Sequence, residues 1–289
     1  MTLTELNFKQ YNNVLCCGDI HGLLNLKTIS LNYIKDIENC LIIFVGDIGL
    51  GFSSPVIEKN TLKDCNEIIK SKNIHYILLR GNHDNPNFFA NDSEYNQSNI
   101  TVIPDYTILN TANNNILCIG GGISIDRIQR VPKVSYWDNE PIIPLDEDLQ
   151  EKIKTLSYNI DIICTHNAPT YIKPVNPDVN NAGQIVEAWS SYDSSLKQDV
   201  WNDRMVLNDL NEFISKYHKI KYWIYGHFHN HFYSEYNDTK FIGLDMFYLY
   251  SKSVKWTPTK TLIKIGPDFF DINDEVKYNN VKEENREIY

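Results

Sequence analysis

The chain has 289 residues, of which 42% are hydrophobic and 22% charged, and these ordinary globular values exclude a wholly disordered protein. A formal net charge of -10 makes a long nucleic acid an unfavourable partner, since such partners normally require a basic face. No apolar run approaches the length of a membrane span, about 18 residues, and the six cysteines form no CxxC pair, so we expect a soluble, cytoplasmic protein without a membrane partner.

The first third of the chain alternates apolar runs with amphipathic segments. The continuous apolar runs at 14–17, 40–45 and 74–79 predict buried strands. Apolar residues recur at helical spacing in 23–37 and 56–72, which predicts a helix after each of the first two strands. This β-α-β-α-β pattern is typical of a parallel sheet, which binds ligands at the carboxyl ends of its strands.

The rest of the chain mixes shorter strands with helices. Strands are predicted at 101–103, 107–109 and 116–119, which an antiparallel arrangement would suit, and again at 160–164, 221–225 and 240–243. Helices are predicted at 144–156 and 203–217. The segment 170–201 begins with a polar, proline-bearing stretch and is expected to form a cap or substrate loop, whereas 271–289 is a charged C-terminal tail.

Five of these predicted strands end in clusters of metal-binding residue types. The clusters are Asp19 with His21, Asp47, Asn82 with His83, His166, and His227 with His229. One such cluster could be an ordinary turn, but five along one chain are hard to explain by packing alone. Oxygen and imidazole donors without thiolates suit Mn, Fe, Zn or Co, and several carboxylate-type ligands suggest more than one ion. Two ions about 3.5–4 Å apart clamp phosphoryl oxygens and generate hydroxide near neutral pH.

Five ordered motifs resemble those of the calcineurin-like metallophosphoesterases. They are Gly18-Asp19-Ile20-His21-Gly22, Gly46-Asp47, Gly81-Asn82-His83-Asp84, Thr165-His166 and Gly226-His227-Phe228-His229, and they span residues 14 to 231. The resemblance implies a single metallophosphoesterase domain over residues 1–289. It also implies a four-layer α/β/β/α sandwich of two mixed sheets flanked by helices, with a dinuclear metal site at the strand ends.

Carried over residue by residue, the resemblance implies seven ligands and one catalytic group. The first metal would be held by Asp19, His21 and His229, the second by Asn82, His166 and His227, and both by a bridging Asp47. His83 would face the phosphate and either protonate the leaving oxygen or steady the transition state. The cofactors would be two divalent ions, with Mn preferred and Fe, Zn, Ni or Co as alternatives.

The expected activity is hydrolysis of phosphomonoesters or phosphodiesters by attack of metal-bound hydroxide, with nucleotide-type or other small phosphoesters as preferred substrates. The segment 46–51 lacks the Asp and Arg of the Gly-Asp-x-x-Asp-Arg-Gly motif that phosphoprotein phosphatases carry. A Ser/Thr phosphoprotein phosphatase is therefore an alternative rather than the first choice. A non-catalytic protein-binding scaffold would be expected to have lost ligands, and the acidic charge argues against a nuclease acting on DNA ends.

Several residues keep two interpretations at this stage. Arg127 and Arg130 could supply the missing phosphate contact, or they could be a solvated pair near a turn. Asp84 could orient His83 or cap a turn, and Arg80 is expected in a structural ion pair. A further group of aromatic residues in segments expected to be loops could stack on a nucleobase or fill the core: Trp137, Trp189, Tyr192 and Trp201.

Overall fold

The computed structural model describes residues 2–172, 182–247 and 262–265. Part of the predicted cap, residues 173–181, and the predicted tail at 271–289 lie outside this range. Within the described residues, no helix combines the length and the apolar character that crossing a bilayer requires.

The described residues form twelve strands and five α-helices, besides three short π- or 3-10-helical turns. The strands are β1 (Thr4–Phe8), β2 (Asn13–Cys17), β3 (Cys40–Phe44), β4 (Ile74–Leu78), β5 (Ile100–Val102), β6 (Thr107–Thr111), β7 (Asn115–Ile119), β8 (Ile162–Thr165), β9 (Tyr222–Tyr225), β10 (Phe232–Tyr236), β11 (Thr239–Gly243) and β12 (Leu262–Ile265). The helices are α1 (Leu23–Thr28), α2 (Pro55–Lys70), α3 (Glu147–Lys154), α4 (Ala182–Ser190) and α5 (Leu196–Ile214).

The strands form two mixed sheets. The smaller sheet has the order β12-β2-β3-β4-β5, in which β2 to β5 are parallel and β12 is antiparallel to β2. The larger sheet has the order β1-β6-β7-β8-β9-β11-β10, with β7, β8, β9 and β11 parallel. Five strands that carry the sequence motifs, β2, β3, β4, β8 and β9, are therefore parallel strands in the middle of their sheets.

Strand β3 shows why the two sheets stack. All five of its residues are buried, because both faces of the strand are covered. Ile42 and Phe44 belong to the apolar layer that packs against α1 and α2, whereas Leu41 and Ile43 belong to the layer between the sheets. A third apolar layer joins the outer face of the larger sheet to α3 and α5. The four-layer α/β/β/α sandwich expected from the sequence is confirmed.

Some local expectations were wrong. β5 pairs with β4 in parallel, so only β6 and β7 form the expected antiparallel pair. The helix expected over 23–37 ends at Thr28 and continues as a π-helical turn at Ile29–Tyr33. Trp189 and Trp201 lie in α4 and α5 rather than in loops. β1, β10 and β12 were missed because short strands gain their stability from their partners more than from their own sequence.

Arg80, directly after the β4 region, connects the sheets to the loop at 139–141. Its guanidinium donates two hydrogen bonds to Asp105 Oδ2, at 2.7 and 2.9 Å, and others to the carbonyls of Glu140 and Pro141. The Arg80 and Asp105 side chains are only 3% and 5% exposed. Arg80 thus makes the structural ion pair expected from the sequence.

We expect Arg80→Met to lower the free energy of unfolding by about 3–5 kcal/mol, because it leaves the buried Asp105 carboxylate without its partner. Urea denaturation measures this change. Lys216→Ala is the control, since its ion pair with Glu212 is exposed and should contribute little. Equal stability of the Arg80 and Lys216 variants would contradict the structural role of Arg80.

Candidate metal centre

The five polar clusters meet at one edge of the sandwich. β2, β3 and β4 of the smaller sheet and β8 and β9 of the larger sheet all end there. The two sheets face each other across a thin apolar layer, in which Cys16 Sγ of β2 lies 3.9 Å from Cys164 Sγ of β8. The residues that follow these strands are therefore brought together although some of them are far apart in sequence, as His21 and His229 are, at 208 positions.

One group of donor atoms consists of Asp19, His21, Asp47 and His229. One ligand atom from each lies within 4.8 Å of all the others. His229 Nε2 is 3.0 Å from Asp19 Oδ2 and 2.9 Å from His21 Nε2. His21 Nε2 is in turn 3.8 Å from Asp47 Oδ2.

A second group is centred on His166 Nε2. Asn82 Oδ1 lies 2.9 Å from this nitrogen, His227 Nδ1 lies 3.2 Å from it, and Asp47 Oδ1 lies 3.3 Å from it. The other ring nitrogen of His166, Nδ1, is hydrogen-bonded to the Val45 carbonyl at 2.9 Å, which fixes the ring orientation. Asp47 thus turns one carboxylate oxygen toward each of the two groups.

Backbone N–H groups hold both carboxylates in place. Asp47 Oδ1 accepts a hydrogen bond from the His83 N–H at 2.8 Å, and Asp19 accepts from the His227 N–H at 3.0 Å. A Cβ atom at Gly81 would clash with Asp47 Oδ1, which explains the glycine before Asn82. The glycines in these motifs therefore let the backbone lie close to the carboxylate oxygens of the predicted ligands.

Several of the predicted ligands have an unfavourable backbone conformation. Positive φ angles occur at His21 (46°), Asp47 (52°), His227 (67°) and His229 (49°). Such angles are uncommon for residues other than glycine, and they cluster at functional sites where the surrounding structure enforces them. Local strain is thus concentrated on the side chains that converge at this edge.

Two buried carboxylates set the electrostatics of the cluster, since Asp19 is 0% and Asp47 1% exposed. Burial alone would raise the pKa of Asp47, but His166 and His83 outweigh it and hold that pKa well below its ordinary value. Burial likewise disfavours a charged His166, yet Asp47 and Asp19 raise the pKa of its imidazole to about 9. The two buried carboxylates are therefore stabilised by positive charge on neighbouring groups.

The arrangement fits two divalent cations. Ligands bound to one ion at about 2.1 Å lie roughly 3.0–3.4 Å apart, and most of the close donor–donor distances in both groups are near this range. Carboxylate, amide and imidazole donors suit Mn, Fe, Zn and Co. A cation at each group would also compensate the buried carboxylates, and Asp47 would serve both.

Comparison with known proteins decides the family. A family model described as calcineurin-like phosphoesterase matches residues 13–231, about three quarters of the chain. The chain belongs to the calcineurin-like phosphoesterase family. This confirms the resemblance seen in the five motifs. The family depends on two metal ions, and the Asp and His cluster described above could bind metal. No curated protein matches the sequence.

Several solved structures are distantly similar to the chain. The phosphopantetheinyl hydrolase PptH from Mycobacterium tuberculosis is 13% identical, with 90% of this chain and 97% of that chain covered and a TM-score of 0.41. GAP50, the anchor in the inner membrane complex of Plasmodium, is 14% identical, with 88% of this chain and 81% of that chain covered and a TM-score of 0.41. A protein serine/threonine phosphatase from Saccharomyces cerevisiae is 14% identical, with 84% of this chain and 71% of that chain covered and a TM-score of 0.34. These likenesses do not bear on the substrate.

Arg130 and His83 lie together beside the donor groups. An NH2 nitrogen of Arg130 is 2.6 Å from His83 Nε2, and the His83 ring meets the edge of His21 at a centroid distance of 5.0 Å. Arg127 has a different environment, because its guanidinium is paired with Asp193 and Asp199. The structure thus brings Arg130, but not Arg127, into contact with a predicted site residue.

Asp84 organises the loop that follows Asp47 rather than the His83 ring. Its carboxylate accepts hydrogen bonds from the backbone N–H groups of Ile48, Gly49, Leu50 and Gly81, at 2.7–3.1 Å. This contact pattern favours the turn-capping interpretation over the orienting one. It also fixes the chain just beyond the shared carboxylate.

Two further residues support Asn82 from behind. Asn82 Nδ2 donates to Ser124 Oγ at 3.0 Å, and Ser124 Oγ donates to Glu140 Oε2 at 2.8 Å. The Glu140 carboxylate, which is fully buried, also accepts from the Ser124 N–H at 2.7 Å. This relay turns Asn82 Oδ1 toward the second donor group. Sequence patterns did not reveal it, because Glu140 is distant from every motif.

We expect Ser124→Ala to weaken binding of the second ion about 10–100-fold, because Asn82 loses the acceptor that orients its amide. Isothermal titration of metal-stripped protein with Mn²⁺ measures the affinities. The control is Ser215→Ala, whose exposed hydroxyl bonds only within the end of the α5 region. If the Ser124 variant binds both Mn²⁺ ions as tightly as wild type, the hydrogen bonds through Ser124 do not orient Asn82.

Proposed function

We propose that this protein hydrolyses small phosphoesters, monoesters or diesters, with nucleotide-type compounds among the preferred substrates. The observation that carries the proposal is the pair of donor groups that share Asp47, with His83 and Arg130 beside them. Mn²⁺ is the preferred metal, with Fe, Zn, Ni or Co as alternatives. The single domain over 1–289, the small-molecule partner and the cytoplasmic location stay predictions.

The proposed metal ligands are Asp19, His21, Asp47 and His229 for one ion and Asp47, Asn82, His166 and His227 for the other. When bound, the two ions supply an activated water and neutralise charge on the phosphoryl oxygens. No side-chain nucleophile is then required. The protein contributes fixed positions for the ligands, through the backbone hydrogen bonds to Asp19 and Asp47 and the relay behind Asn82.

In this proposal the His83 ring contacts the leaving oxygen. The backbone N–H of His83 is held by Asp47, and its ring lies against His21 and Arg130. Because a guanidinium only donates hydrogen bonds, Nε2 of His83 is the acceptor in its contact with Arg130. Burial lowers the pKa of His83, Asp47 opposes this, and Arg130 lowers it further.

Arg130 would supply positive charge for the phosphate. Its Nε donates to Asp126 at 2.7 Å and its side chain is 7% exposed, so the guanidinium is held in one place beside His83. Charge-assisted hydrogen bonds from arginine are about twice as strong as neutral ones. This arginine comes from a different part of the chain than the Arg of the phosphoprotein phosphatase motif. The absence of that motif's Asp and Arg from segment 46–51 is what makes small phosphoesters the first choice.

We expect Asp47→Asn to lower kcat/KM by more than about hundredfold, because changes behind metal ligands already cost 10–100-fold. His83→Ala should lower kcat by about 10²–10⁴-fold if the ring transfers a proton. Hydrolysis of p-nitrophenyl phosphate and its bis ester with added Mn²⁺ measures both, with the exposed Asp64→Asn as control. Wild-type protein that is inactive on both esters, or a fully active Asp47 variant, would refute the proposed function.

Arg130 and Arg127 provide a matched comparison. Arg130→Met should lower kcat/KM about 10–150-fold, which corresponds to the loss of one hydrogen bond to a charged group. Arg127→Met should change kcat/KM far less, since Asp193 and Asp199 already occupy its guanidinium. Thermal denaturation of both variants verifies folding. Equal losses of kcat/KM in the Arg130 and Arg127 variants would contradict a phosphate contact specific to Arg130.

A further inference from the structure

Phe52 is an exposed aromatic residue beside His83. Its ring lies 6.2 Å from the His83 ring, centroid to centroid, and the two planes differ by only 24°. The side chain is 41% exposed, although most large apolar side chains of the surrounding fold are buried. Phe52 was not predicted from the sequence, since the stacking candidates there were tryptophans and a tyrosine later in the chain.

The loop that carries Phe52 is fixed on both sides. Before it, the Asp84 carboxylate accepts hydrogen bonds from the N–H groups of residues 48–50. Around it, Glu58 Oε1 accepts from the Gly51 and Ser53 N–H groups, both at 2.9 Å. Glu58 is only 1% exposed. Two buried acids therefore hold the backbone on both sides of Phe52 in place.

Trp137 supports the ring from another direction. It meets Phe52 edge-to-face, at a centroid distance of 5.1 Å and an angle of 72°, and is itself only 4% exposed. Of the aromatic residues considered from the sequence, Trp137 thus packs behind Phe52 and is not itself available to a ligand. Phe52 presents the remaining open aromatic surface at this position.

The distance to His83 relates Phe52 to the leaving group. A leaving oxygen within hydrogen-bond reach of His83 lies about 3 Å from the imidazole. A flat ring joined to that oxygen then comes within the centroid distances of about 4.5–7 Å at which aromatic rings stack. Phe52 is therefore suited to contact the part of the substrate that departs, rather than the phosphoryl group.

From this geometry we infer that Phe52 determines specificity for phosphoesters whose leaving group carries an aromatic ring next to the ester oxygen. The inference rests on the proposed function, because it assigns His83 to the leaving-group side. Stacking on Phe52 adds binding energy for a flat ring that a saturated ring of the same size cannot obtain. Phe52 is a specificity residue and takes no part in proton transfer.

The test compares phenyl phosphate with cyclohexyl phosphate in wild-type protein and in Phe52→Leu. The kcat/KM of each variant is divided by the kcat/KM of wild type for the same ester. The different reactivities of the two leaving groups then cancel. We expect kcat/KM to fall about tenfold for phenyl phosphate. For cyclohexyl phosphate it should stay within about twofold. Phe52→Tyr, which keeps the ring, should retain the wild-type preference.

Tyr217→Leu is the matched control, because Tyr217 is 47% exposed and its ring contacts Phe213 rather than a site residue. It should change neither ratio. An equal fall for both esters in Phe52→Leu would mean that Phe52 only supports His83, and no fall for either would mean that it does not contact the leaving group. Both outcomes overturn the inference.

A binding measurement separates this inference from the proposed function. Phenylphosphonate and cyclohexylphosphonate, which are not hydrolysed, are titrated into Mn²⁺-loaded protein. Wild type should bind the phenyl compound about fivefold more tightly, and Phe52→Leu should lose this preference. If wild type hydrolyses no ester, the proposed function fails and the phosphonate titration alone decides the role of Phe52. Equal Kd values for the two phosphonates in wild type would then overturn it.

Discussion

Two carboxylates, Asp19 and Asp47, are buried at the edge where the sheets meet, and the rest of the site compensates their charge. Burying a carboxylate without partners is costly, so each receives backbone N–H groups and faces imidazoles. The strained backbone at several histidines is maintained because the stacked sheets fix where each strand ends. A pair of divalent cations is the compensation that the donor atoms fit best.

Connected hydrogen bonds surround these carboxylates and fix the loops next to them. Asp84 holds the loop after Asp47, and Glu58 continues that support as far as Phe52. On the opposite side, Ser124 and Glu140 orient Asn82, and Arg80 binds the Glu140 carbonyl. Buried acids that are not ligands therefore position the groups that are. This explains why so many titratable side chains are buried around one edge of the fold.

Substrate preference depends on parts of the chain that differ from the core motifs. The loop after Asp47 has Leu50 and Gly51 where phosphoprotein phosphatases carry an Asp and an Arg, and Phe52 follows directly. Arg130 approaches His83 from a separate turn. The family assignment therefore supports metal-dependent phosphoester hydrolysis in general, whereas these residues lead to the proposal of small esters with aromatic leaving groups. A shared fold alone does not give the substrate.

The sequence by itself determined where the central strands lie along the chain and which residue types follow them, because buried parallel strands and glycine-flanked polar turns leave local patterns. The four-layer architecture was implied by the resemblance of the five motifs to a known family. The sequence did not reveal β1, β10 or β12, whose stability comes from their neighbours. Only the tertiary structure decided that Asp47 faces both donor groups, that Arg130 rather than Arg127 contacts His83, and that Phe52 lies next to it. These are contacts between segments distant in sequence, and no local periodicity records them.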